Sequence, residues 1–300
     1  MLSFKALSRG MLVMLFLGIF GSAMADTQIT SHQLPAPAKI TIIIDDLGNN
    51  HLLGLRAAKL PSQVALSILP HTNFSRELAE LGHQRGMDIL LHQPMESETN
   101  VNLLGPGSLL SSMNREEFNG ILEDNLKVVP YAIGLNNHMG SLLTADQQKM
   151  NWLMEELKLR GLFFIDSRTS SKTIAENTAR RWQLPTRGRK VFLDHLDQPE
   201  AIAQQFQRLV KLAKREGHAI AIAHPRLNTL TFLENKLSRL DQAQFELISV
   251  SELMLQSPDK LENNYRACYQ FDFKNYNFPN VPLYPQLKAP SKLSTHCFAR

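Results

Sequence analysis

The stretch "ITIIIDDLGNN", residues 40–50, sets two adjacent carboxylates behind five residues with the character of a buried strand. In an extended chain, neighbouring side chains point to opposite faces, so Asp45 and Asp46 are expected to point apart. Either acid could cap the turn that Leu47-Gly48 begins. The alternative is that the pair holds something at the end of the strand, and the other strand ends decide between the two.

Residues 1–25 carry Lys5 and Arg9, then the apolar run "MLVMLFLGIFGSAMA", which closes on the small-x-small sequence Ala23-Met24-Ala25. This is the pattern of a secretory signal peptide cleaved after Ala25, with export to a periplasm. An uncleaved anchor is the alternative, for which the run is short. Cleavage removes two positive charges from a formal net charge of +4, leaving a nearly neutral chain with no membrane anchor. The one basic cluster, "ARRWQLPTRGRK" at 179–190, reads as a solvated surface loop rather than a nucleic-acid footprint. Residues 26–38 are a Pro- and Ala-rich linker. From 256 to 300 the chain turns rich in Asn, Pro and aromatics without a period, an irregular tail. It holds both cysteines, Cys268 and Cys297, whose pairing in an oxidising compartment is plausible.

Between 39 and 255 strand-like and helix-like runs alternate. After "ITIII" come "QVALSIL", "MDILL", "AIGLN", "LFFID", "KVFLD", "HAIAIAH" and "FELISV", separated by helical segments. Asn114 is expected to cap one helix, and Thr144 with Gln147 to form a capping box on the next. Continuous apolar strands alternating with helices indicate a parallel sheet covered on its faces. The expected fold is α/β, a distorted (β/α) barrel of about seven strands; an open doubly wound sheet is the rival. No glycine-rich fingerprint follows the first strand, which argues against nucleotide binding.

In such folds the site lies at the carboxyl ends of the strands. Asp45-Asp46, His71, His92, Asn136 to His138, Asp166, Asp194-His195 and His224 all fall there, among them five of the ten histidines. Taken singly, each has a bland reading as a cap, a turn former or a loop histidine. Together on one rim they suit a divalent cation, since imidazole nitrogen and carboxylate oxygen are ligands for Zn²⁺. A second carboxylate and a further histidine would then serve as base and acid.

On these residues the chain resembles the divergent (YibQ-like) polysaccharide deacetylases, from about 38 to 255. "IIIDDLG" is similar to the superfamily's first motif, which implies Asp45 as base and Asp46 as metal ligand. "GMDILLHQPME" resembles the second, making His92 a ligand, with Glu96 where another histidine is usual. "NNHMGS" occupies the third motif without its arginine and offers His138 as third ligand. "FFIDSRTS" resembles the fourth and places Asp166 in the pocket to orient His224, and "IAHPR" makes His224 the acid. The resemblance implies a metal-dependent removal of acetyl groups from an envelope polysaccharide. Water attacks the acetyl carbonyl, Asp45 takes its proton and His224 protonates the leaving amine. A glycan- or partner-binding protein that keeps the barrel and metal without catalysis is the competing reading. A metal-dependent hydrolase of another bond, such as an amide in a peptide cross-link, is a third.

Overall fold

The computed structural model describes residues 37–239 and 245–255. The expected signal peptide, nearly all of the linker, the tail and both cysteines lie outside the described residues.

Nine strands form one parallel sheet: β1 (Ala38–Leu47), β2 (Ala65–Ile68), β3 (Ile89–Met95), β4 (Ala132–Met139), β5 (Phe163–Asp166), β6 (Thr186–Gly188), β7 (Val191–Phe192), β8 (His218–Ala223) and β9 (Phe245–Leu247). Their order is β6-β5-β4-β3-β2-β1-β8-β7, with β9 beside the first residues of β1. The helices are α1 (His51–Ala57), α2 (Ser75–Gln84), α3 (Arg115–Val128), α4 (Gln147–Leu159), α5 (Ala175–Arg181), α6 (Pro199–Glu216), α7 (Leu227–Leu237) and α8 (Val250–Leu255). Among the described residues, no helix is long and apolar enough to cross a membrane.

The sheet has to curl. Its two ends, β6 and β7, are joined by Arg189 and Lys190 alone. Laid flat, eight strands at about 4.8 Å spacing would separate those ends by roughly 34 Å. Three Cα–Cα steps of such a link reach only about 11 Å. The linking amides show the closure: Arg189 N–H donates to Asp166 O at β5, and Lys190 N–H to Ile220 O in β8, each at 2.9 Å. The result is a barrel with a seam between β6 and β7, which share no ladder.

Side-chain parity then sorts each strand into two faces. Ile40, Ile42 and Ile44 pack outward against helices, as do Leu91, Leu135 and Phe164. Ile43, Ala65, Leu90, Phe163, Ile165, Ile220 and Ile222 form an inner cluster closed from below by Ile248, Val250, Leu253 and Met254. β9 and α8 therefore plug the amino end of the barrel, and the Thr41 hydroxyl donates to Ile248 O across that plug.

Two local expectations change. Asp146, not Thr144, caps α4, its carboxylate accepting from the amides of Gln148 and Lys149. Thr144 instead donates to Gly140 O and steadies the turn after β4. The segment expected to be a solvated basic loop contains β6, with Arg187 buried. The Asn114 capping box forms as expected, with Glu117 reciprocating.

Gly134 in β4 leaves room for the Phe163 ring of β5, which a Cβ would overlap. Gly134→Ala should therefore cost about 1–3 kcal/mol in urea unfolding. Gly120→Ala, in an exposed turn of α3 with open space around it, should instead raise stability by up to about 1 kcal/mol.

Candidate metal centre

On the inner face, the residue beyond the last apolar position of a strand is polar: Asp45 after Ile43, Ser67 after Ala65, His92 after Leu90, Asp194 after Phe192 and His224 after Ile222. Those side chains meet at the carboxyl end of the barrel. Asp46 should by parity point outward, and it does not. Its backbone is left-handed, φ 55°, and the pairing of β1 with β2 shifts register between Ile44 and Leu47. That irregularity turns both carboxylates to the same side. Asp46 Oδ1 lies 3.0 Å and Asp45 Oδ2 3.7 Å from the same atom, His92 Nε2. The expectation that the two acids point apart is corrected here. Met139, the last residue of β4, and Arg168 and His71, two and three residues beyond β5 and β2, also have positive φ, so backbone strain gathers on this rim.

His92 and His138 approach from adjacent strands. β3 and β4 pair His92 with Asn136 and Pro94 with His138, so Asn136 and His138 share the inner face with His92. Asp46 Oδ1, His92 Nε2 and His138 Nδ1 then cluster: His138 Nδ1 is 2.9 Å from Asp46 Oδ1 and 3.2 Å from His92 Nε2. The three ligand atoms form a possible metal site. Asp46 Oδ1 is buried, yet it accepts no well-directed hydrogen bond despite the nitrogens beside it. The three atoms stand 2.9–3.2 Å from one another. Ligand atoms about 2.0–2.2 Å from a tetrahedral ion stand about 3.3 Å apart, close to this spacing. The residues fit a divalent cation.

The centre is braced by Asn136. Its Oδ1 accepts from Ser67 Oγ at 2.6 Å, and its amide nitrogen donates to Asp45 Oδ1 at 2.8 Å. An ionised carboxylate only accepts, which fixes the amide's orientation. His92 Nδ1, 2.8 Å from Asn136 Oδ1, is therefore a proton donor, and Nε2, the nitrogen that titrates, faces the centre. Burial pushes the Asp45 carboxyl up, against the pull of His92, His224 and the Asn136 amide. For Asp46, burial is outweighed by the attraction of the adjacent His138 and His92 imidazoles, which hold it well below the usual carboxylate range. Burial lowers His92, but Asp45 and then Asp46 raise it to about 9.

His224 stands on the other side, its Nε2 3.6 Å from Asp46 Oδ2. The resemblance implied Asp166 as its orienting acid, but the partner is Asp194. Asp194 Oδ1 accepts from His224 Nδ1 at 3.0 Å, and Oδ2 accepts from the His224 amide and the Thr229 hydroxyl, each at 2.8 Å. Burial lowers His224, and the Asp194 hydrogen bond more than restores it, so its pKa is raised. Asp166 has the parity of Phe164 and faces the helices. It accepts from the Arg168 amide, the Thr173 hydroxyl and the Glu176 amide, ordering the loop into α5. Glu96 is not a ligand either; its carboxylate accepts from the Ser111 amide at 2.6 Å. His195 is exposed, and His71 bonds Asn125 at 2.9 Å in a separate network.

Residues 42–254 match the family described as divergent polysaccharide deacetylase. The chain is 34% identical over 218 residues to an uncharacterized protein of Haemophilus influenzae, covering 73% of this chain and 77% of that one. It is 33% identical over 216 residues to the uncharacterized protein YibQ of Escherichia coli K12, covering 72% and 67%. A crystal structure of an uncharacterized protein from Agrobacterium tumefaciens C58 superposes with a TM-score of 0.70 at 22% identity, over 73% of this chain and 89% of that one. It shares the fold.

Purified protein reconstituted with Zn²⁺ should hold about one equivalent per chain by elemental analysis. Asp46→Asn and His138→Ala should each abolish this, and Asn136→Ala should weaken affinity about 10–100-fold. Because His92 holds an extra proton up to about pH 9 in the cation-free chain, binding must release it. Affinity should then rise about tenfold per pH unit below that value. Full zinc content in His138→Ala would remove that residue from the ligand set.

Proposed function

The chain belongs to the divergent polysaccharide deacetylase family, and we propose that it is a metal-dependent hydrolase removing N-linked acetyl groups from sugars of an envelope glycan. The observation that carries the reading is the convergence of Asp45 and the His224–Asp194 pair on the Asp46–His92–His138 cluster. A pure binding protein needs no base and acid beside a cation site. The apolar leader ending at Ala25 supports export, hence a glycan of the periplasm as substrate.

A divalent cation such as Zn²⁺, when bound, supplies Lewis-acid polarisation of an acyl carbonyl and makes a neighbouring water more acidic. The chain's own residues do the rest. Asp45 takes the proton of the attacking water, and burial, which pushes its carboxyl up, makes it a stronger base than a surface aspartate. Asn136 holds that carboxylate by one oxygen and leaves the other facing the centre. His224, anchored at Nδ1 by Asp194, keeps Nε2 free to give a proton to the departing nitrogen. An amine leaves poorly as an anion, so this donor matters more for an amide than for an activated ester.

Acetate release from N-acetylated glycans, with the cation present, tests the reading. Asp45→Asn should lose about 10²–10⁴-fold in kcat/KM while retaining its metal. His224→Ala should lose a similar factor on N-acetyl sugars but little on an aryl acetate, whose leaving phenolate needs no proton. No acetate from any acetylated glycan with metal-loaded wild type would overturn the catalytic reading in favour of binding.

A further inference from the structure

Two arginines beside His224 are not used by the chemistry above. Arg189, in the seam link, donates from Nε to Ser167 O at 2.6 Å and from Nη2 to Arg168 O at 2.8 Å. Its guanidinium lies over the Phe192 ring, 4.9 Å from the centroid, and that ring is 5.0 Å from the His224 imidazole. Arg226, two residues beyond His224, donates from Nη1 to Asp194 O at 2.7 Å. Both side chains thus hold to backbone carbonyls, and among the described residues neither forms an ion pair with a carboxylate. Arg168, on the same rim, is by contrast paired with Glu176. Arg189 Nη1 keeps its protons without a protein acceptor among the described residues.

Partial burial of an uncompensated guanidinium is costly, and backbone carbonyls neutralise only part of its charge. Burial lowers the Arg189 pKa, with Asp45 and Asp166 pulling the other way from a distance. The guanidinium therefore sits within electrostatic reach of the carboxylate at the centre. A planar fork with one free edge is suited to a carboxylate or phosphate.

We infer that Arg189 and Arg226 form an anion subsite flanking His224, so that the substrate is an acidic glycan bearing a carboxylate or phosphate next to the acetamido sugar. The inference rests on the deacetylase reading only for where the acetamido group lies. Phe192 lies between Arg189 and the imidazole, and Arg226 is two residues beyond His224, which places the anionic group on the reacting sugar or its neighbour.

The test is calorimetric binding to metal-loaded Asp45→Asn protein, used in every arm to prevent turnover. The probes are a neutral N-acetylglucosamine tetramer, a tetramer alternating N-acetylglucosamine with the carboxylate-bearing N-acetylmuramic acid, and N-acetylglucosamine 1-phosphate beside N-acetylglucosamine. At least one acidic probe should bind tenfold or more tightly than its neutral partner, and the arm that shows the gain identifies carboxylate or phosphate. Arg189→Gln and Arg226→Gln should each remove about tenfold from the acidic probe and leave the neutral one unchanged. Arg189→Lys should retain part of the preference, because it keeps the charge while losing the backbone fork. Equal affinity for acidic and neutral probes, or equal losses on both in the variants, would overturn the subsite and leave the arginines as clamps of the seam. Failure of acetate release with the preference intact would sink the catalytic reading alone.

Discussion

The left-handed backbone at Asp46 is the constraint on which the centre depends. A regular strand would send one of two adjacent carboxylates into the helices and the other into the barrel. A single residue at φ 55°, with the register shift beside it, brings both to His92. A non-glycine residue in that region costs on the order of 1–3 kcal/mol. It persists because the rest of the rim over-determines it: His92 and His138 crowd one oxygen of Asp46, and His224 faces the other. An aspartate tolerates this conformation better than a β-branched residue would. The DDLG sequence is thus a bulge as much as a pair of acids.

Much of the fold was legible because the strands announce themselves as apolar runs and the helices between them as periodic ones. What stayed hidden was short or locally ambiguous. β6 has three residues, Thr186, Arg187 and Gly188, two of them polar or charged, and its place in the sheet is set by pairing with β5 rather than by its own pattern. The cap of α4 went to Asp146 because a carboxylate two residues nearer the helix reaches two amides, while Thr144 was already committed to the turn at Gly140.

The site was legible in its ligands and less so in its support. Asp46, His92 and His138 stand together as the motifs implied, and Asp45 and His224 border them. The acid beside His224 was misassigned to Asp166, although parity could have separated the two candidates. Asp166 follows Phe164 on the outward face, whereas Asp194 follows Phe192 on the inward one. The role of Asn136 had no signal of its own. Its amide is informative only once Ser67, His92 and Asp45, from three different strands, are seen around it.

The position of β1 in the middle of the sheet has a consequence for how the chain is made. Among the described residues β1 is the first strand in sequence, yet it pairs with β8 and β9, the last two. Until the carboxyl-terminal third exists, one edge of its isoleucine-rich ladder has no partner, and the barrel lacks both its closing strand and the α8 plug. Contacts of such long sequence separation form slowly, because a large loop must close before they contribute. A nascent chain therefore remains open through most of its synthesis, and closure awaits its final strands.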